Sequence, residues 1–184
     1  MSDDPKPPTT PSEEAGRIGL ALARAEGAAY GLALKHMTGM VAEFGEEQRH
    51  GDYSVALALE KAEGLYMWSG DGLEWREPTT ENLHVEVAVR DAADGRFLPA
   101  LDIDVSIADA SGREVAQLRV PFLWHPTLYH YGQNVAVPVL RDATVTVRFP
   151  PPTFPRHDEV NGRRFLEPAE VRFGPVDLSF LEEK

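Results

Sequence analysis

Leu83-His84-Val85-Glu86-Val87-Ala88-Val89 alternates an apolar residue with a small or polar one over seven positions. A period of two is the pattern of a half-buried strand, because successive side chains point to opposite faces. Leu83, Val85, Val87 and Val89 claim the core face, so His84 and Glu86 project together from the other, about 7 Å apart by strand geometry. The same alternation recurs outward in both directions: Tyr53, Val55, Leu57 and Leu59 before it, then Leu101, Ile103, Val105 and Ile107. Val145, Val147 and Phe149 follow, then Val171 with Phe173 and Val176 with Leu178. Turn signals separate these runs at Ser69-Gly70-Asp71-Gly72, Asp94-Gly95, Ser111-Gly112 and Asn161-Gly162. Seven or more short strands, each with one polar face, predict a mainly β chain: an antiparallel immunoglobulin-like β-sandwich over residues 52–182.

The N-terminal part reads differently. Residues 1–12 hold Pro5, Pro7, Pro8 and Pro11 among Ser and Thr and are expected to be a disordered tail. Residues 13–48 are expected to be a helical segment added to the sandwich. Ser12 followed by Glu13 and Glu14 reads as a helix start. Tyr30, Leu34, Met37, Val41 and Phe44 fall on one helical face, continued by Ile18, Leu22, Ala25 and Ala29, with a break expected at Gly27 and a C-cap at Gly45.

The 184-residue chain has no cysteine, which excludes disulfides, thiolate zinc sites, iron–sulfur clusters and Cys nucleophiles. Its formal charge of −12 argues against nucleic-acid partners, since phosphate backbones would repel it. No apolar run approaches the roughly 18 residues of a membrane span. The acidic, proline-rich start shows no secretory leader, which by itself predicts a cytoplasmic location. Gly-x-Ser-x-Gly, P-loop and His-Glu-x-x-His motifs are missing, so the reading leans to a non-catalytic protein.

Chemistry can reside in the histidines, the commonest side-chain ligands of transition metals. His84 and Glu86 share a strand face. His125 and His130 lie in Trp124-His125-Pro126-Thr127-Leu128-Tyr129-His130-Tyr131-Gly132, an aromatic segment read as a loop between strands. His157 sits in Phe154-Pro155-Arg156-His157-Asp158-Glu159. Each group also reads as plain surface: a solvated strand face, an aromatic turn, a polar loop. His36 and Met37 lie on the helix with Met40, a methionine stripe that reads as core rather than as a copper site; His50 reads as part of a polar connector, and Glu60 and Glu63 as turn residues beside a cation site at most.

With these motifs in view the sequence resembles the periplasmic iron-transport-associated proteins, immunoglobulin-like sandwiches that bind copper. The resemblance rests on His84-Val85-Glu86, Phe97-Leu98-Pro99-Ala100-Leu101, His130-Tyr131-Gly132-Gln133-Asn134, Arg156-His157-Asp158 and Phe165-Leu166-Glu167-Pro168, in family order. It implies His84, His130 and His157 as metal ligands and Glu86 as an acid that helps to bind a second cation. The family's methionine ligand has no counterpart in Leu123-Trp124-His125-Pro126, and His125 is the expected substitute. Exchanging a thioether for imidazole moves the preference from Cu(I) toward Cu(II), zinc or nickel, with iron tolerated. The resemblance further implies a periplasmic or other extracytoplasmic location, a homodimer, and an iron permease or metal-transfer partner. The leading expectation is therefore a metal-binding protein for copper or iron. The alternatives are a protein-interaction module that has lost its metal, and a metal-dependent oxidase or hydrolase with Glu86 as base.

Overall fold

A computed structural model describes residues 9–182. Its elements in chain order are α1 (Arg17–His36), a π-helical turn (Met37–Val41), β1 (Phe44–His50), β2 (Tyr53–Lys61), β3 (Leu65–Trp68), β4 (Leu73–Arg76), β5 (Leu83–Asp91), β6 (Ile103–Ala108), β7 (Glu114–Val120), β8 (Phe122–Leu123), β9 (His130–Val135), β10 (Ala143–Phe149) and β11 (Ala169–Val176), ending in a 3-10 turn (Ser179–Glu182). Two antiparallel sheets, ordered β1-β2-β5-β9-β8 and β11-β10-β6-β7, face one another, and β3 and β4 form a separate two-stranded ribbon. The expected mainly β, antiparallel sandwich with one N-terminal helix is what the chain forms.

The core lies between the sheets. Val55, Leu57 and Leu59 of β2 and Leu83, Val85, Val87 and Val89 of β5 meet the inward side chains of β6, β10 and β11, and all are excluded from solvent. Alternation then sends Ala56, Ala58, His84, Glu86 and Ala88 to the outer face of the five-stranded sheet. That face is covered as well: Leu34 and Met37 pack on Ala56, Ala58 and Ala88, with Leu128 beside them. Alanines let a helix approach the sheet, and burying Leu34 there contributes about 1.5–3 kcal/mol.

The helix differs from its sequence reading in its limits and its contacts. It starts at Arg17, because Ser12 instead closes a turn with Ala15 and donates its hydroxyl to Asp158 at 2.7 Å. Gly27 does not break it. It is the contact point at which α1 touches the turn after β5, where a Cβ would lie 1.9 Å from the Asp94 carbonyl oxygen. Gly45 is no C-cap. It lies in β1, and its missing side chain leaves room for the Thr38 carbonyl, 2.0 Å from where a Cβ would stand. Ile18 and Leu22, expected on the packed face, are exposed. Of the expected tail, residues 1–8 lie outside the described residues, while the Thr10 backbone exchanges two hydrogen bonds with the Asn161 side chain.

The long connection from β10 to β11 is fastened to the first sheet by an ion pair and a backbone hydrogen bond. Arg164 pairs with Asp91 at 2.6 Å, and the Phe165 N–H donates to Asp52 at 2.8 Å.

Candidate metal centre

β9 runs antiparallel to β5 with His84 opposite Asn134, Glu86 opposite Gly132 and Val87 opposite Tyr131. This register decides the site. Tyr131 points into the core, so His130 and Gly132 face outward, on the side that carries His84 and Glu86. On the far side of β5, Glu60 of β2 stands opposite His84. His130, expected in a loop, is thus the first residue of a strand, and both its ring and that of His84 are fully buried.

His84, Glu86 and His130 each offer one ligand atom, all within 4.8 Å of one another. Glu86 Oε1 lies 2.9 Å from His130 Nε2 and 3.8 Å from His84 Nε2. His84 Nε2, His130 Nδ1 and Glu86 Oε2 are buried without a hydrogen-bond partner, and His130 Nε2 has only the Glu86 carboxylate beside it. Buried polar atoms are ordinarily satisfied, so the unpaired His84 Nε2 and Glu86 Oε2 beside His130 Nε2 call for a missing partner. There is room for one. A Cβ on Gly132 would meet His84 Nε2 at 3.1 Å and the His130 ring at 3.4 Å, so the glycine keeps this space open. Two imidazoles and a carboxylate suit a divalent transition ion with bonds of about 2.0–2.2 Å. The residues present fit a metal.

The electrostatics agree. Burial pushes the Glu86 carboxyl up, but His130, His84 and His125 together hold it below its usual value, so it stays an anionic donor. Burial, with Glu86 and Glu63 nearby, pushes the half-buried Glu60 up to about 7. Asn134 accepts from His84 Nδ1 at 2.7 Å and donates to the Glu63 carbonyl at 2.7 Å. A carbonyl can only accept, so the amide oxygen of Asn134 faces His84. His84 therefore carries its proton on Nδ1 and presents a lone pair on Nε2.

A cleft of about 710 Å³ leads to this floor, walled by Tyr66, Trp75 and Met67 of the β3–β4 ribbon on one side and by Trp124, His125 and Pro126 on the other. Tyr66 and Trp75 stack edge to face across the ribbon at 5.0 Å. His125 stands at the rim with its ring 5.9 Å from that of His130. Its Nδ1 is engaged by Thr127, through the hydroxyl at 2.9 Å and the backbone N–H at 3.3 Å. His157 is not brought to the centre: its side chain is 92 % exposed and pairs with Glu14 at 3.1 Å, before the start of α1. The centre lies instead beside the later turns of that helix, whose Leu34 packs on Ala58, the partner of Glu86 across β2 and β5.

In architecture the chain is similar to FetP of uropathogenic E. coli, at 21 % identity and a TM-score of 0.58, over 73 % of this chain and 95 % of that one. It is equally similar to the copper-reconstituted P19 protein of Campylobacter jejuni, at 17 % identity and a TM-score of 0.59, over 72 % and 94 %. The fold is that of FetP and P19. Copper-bound variants of both proteins match as well. No protein-family model and no curated protein matches the sequence.

Sequence reading missed Met67 beside this site and gave Glu60 and Glu63 no more than a place in a turn near a cation. Glu60 could have been placed by continuing the Val55-Leu57-Leu59 alternation, which puts residue 60 on the face of Ala56 and Ala58. Met67 and Glu63 belong to a ribbon and a connector with no apolar period, and no local signal directs them to His84.

Proposed function

We propose that this chain is a metal-handling protein of the iron-uptake accessory type. It binds a copper ion, as Cu(II), or iron, with zinc as a further occupant, and passes it on without catalysing a reaction. The observation that carries this reading is the convergence of His84, Glu86 and His130 on one point, where His84 Nε2 and Glu86 Oε2 are buried and no protein group satisfies them. Imidazole and carboxylate donors favour Cu(II), Zn(II) and iron over Cu(I). The copper of the FetP and P19 structures supports copper as the occupant. The Asn134 contact fixes the ring of His84, the lowered carboxyl of Glu86 keeps a charge ready, and the aromatic cleft limits water.

An extracytoplasmic location belongs to this reading and is supported by the periplasmic expression of FetP. No helix among the described residues is long and apolar enough to cross a membrane. Within one chain His157 is out of reach of the centre, so its service as a ligand depends on a second copy, in a homodimer. An iron permease or another metal carrier would be the transfer partner.

Elemental analysis of protein purified without a His-tag is expected to find about one ion per chain. His130→Asn keeps a polar group facing Glu86, so it should abolish calorimetric Cu(II) binding while leaving the circular dichroism unchanged. Unaltered binding would remove the site. His157→Ala should weaken binding only if the chain sediments as a dimer.

A second reading, an interaction module without metal, is favoured by the exposed aromatic face of the ribbon, with Tyr66, Trp68 and Trp75 open to solvent. Metal-free protein that also fails to take up Cu(II) would decide for it.

A further inference from the structure

The three-residue centre is one donor short of a closed four-coordinate site. Among the further side chains that line the cleft, His125, Met67 and Glu63 carry an imidazole, a thioether and a carboxylate donor. His125 is engaged elsewhere. Its Nδ1 accepts from the Thr127 N–H, so the neutral ring holds its proton on Nε2 and offers no lone pair there. Met67 is a thioether on the exposed β3–β4 ribbon.

Glu63 stands differently. Its Oε1 lies 3.8 Å from His84 Nε2, the same separation as Glu86 Oε1 from that nitrogen. A cation on the lone pair of His84 Nε2 would therefore lie between two carboxylates. In a tetrahedral centre with bonds of about 2.0–2.2 Å the donors sit roughly 3.3–3.6 Å apart, so Glu86 need close on His84 by only a few tenths of an ångström, whereas Glu63, outside the group that meets within 4.8 Å, must also swing toward Glu86 and His130 by about an ångström or more. The Glu63 side chain is 52 % exposed and free to make that movement. Its main chain is tied to the centre all the same, because the amide of Asn134 that fixes the His84 tautomer also holds the Glu63 carbonyl. An independent sign that a ligand belongs between them is His84 Nε2 itself, fully buried and without a hydrogen-bond partner.

The geometry points to Glu63 as the fourth ligand, in a centre of two imidazoles and two carboxylates, with Asn134 as the positioning residue for both His84 and Glu63. This rests on reading the cluster as a metal centre. It moves the fourth place from the aromatic loop, where His125 was expected to fill it, to the connector between β2 and β3. A second carboxylate makes the site harder and more negative, which favours divalent ions and disfavours Cu(I).

The test titrates the full chain with Cu(II) and Zn(II) by calorimetry and records the Cu(II) electron paramagnetic resonance spectrum. Glu63→Gln keeps the shape of an exposed side chain and should fold. It is expected to weaken both ions by about tenfold or more and to shift the copper hyperfine splitting, while His125→Ala and Met67→Leu stay within about threefold of the unaltered chain. Asn134→Ala should also shift the copper spectrum, with unchanged circular dichroism. Unaltered affinity and an unaltered spectrum in Glu63→Gln overturn the assignment, as does a loss that appears in His125→Ala or Met67→Leu instead. If the unaltered chain binds neither ion, the metal-centre reading itself falls and this inference with it, so the two failures are told apart.

Discussion

Gly132 and Glu86 face each other across β5 and β9, and together they show how a buried polar site is kept available. Glu86 supplies a charge that burial alone would suppress and that the neighbouring imidazoles restore. Gly132 supplies space. An alanine there would bring a methyl within 3.1 Å of His84 Nε2, closer than ordinary van der Waals contact, so the imidazole or the ion must give way. Gly132→Ala is expected to weaken Cu(II) binding by about 10- to 100-fold, on the scale of other substitutions next to a ligand, with thermal stability little changed. Calorimetry beside a melting curve checks this. At this scale the sequence was informative where the period of two held. His84 and Glu86 were readable as a pair because Leu83, Val85 and Val87 claim the other face. His125 was placed at the site only by its position in the chain, and it stands at the rim with its Nδ1 turned to Thr127.

Element by element, the strands whose inward faces are apolar were legible and the others were not. β1 has the sequence Phe-Gly-Glu-Glu-Gln-Arg-His and forms an exposed edge, so it carries no apolar alternation. Charged residues on an edge discourage further pairing, which is why the pattern fails there. β9 hides among aromatics because its outward positions are occupied by His130, Gly132 and Asn134, the residues that build the site. Helix α1 was recognisable by its period, but its docking was not. Gly27 sits 1.9 Å, by its absent Cβ, from a backbone oxygen, whereas Gly19 of the same helix has open space around it. Gly19→Ala is expected to stabilise the chain by up to about 1 kcal/mol through helix propensity. Gly27→Ala gains the same propensity but must push the helix off the turn, for a net loss of about 1–3 kcal/mol. Denaturant titration of the two variants should move the midpoints in opposite directions.

For the whole molecule, the consequence is that one sheet works on both faces. The inner face of β2 and β5 holds the core, while the outer face is shared by α1, packed on its alanines, and by the candidate metal centre under the ribbon and the aromatic loop. A ligand bound only by the folded chain adds to its stability. With Cu(II) or Zn(II) free at a hundred times its dissociation constant, the gain is expected to be about 2.7 kcal/mol. That corresponds to a rise in melting temperature of roughly 5–11 °C for a chain of this size. A chelator should reverse it, and His130→Asn should show none. The sequence by itself determined the β-sandwich and the face that bears His84 and Glu86, because a strand's period depends on nothing beyond its own residues. Only the tertiary structure decided which remote groups join them. The pairing of β5 with β9 brings in His130 and Asn134, the connector after β2 stands Glu63 near His84, and His157 is paired with Glu14, ahead of α1. Such meetings depend on strand register and layer packing, which no local pattern of side chains encodes.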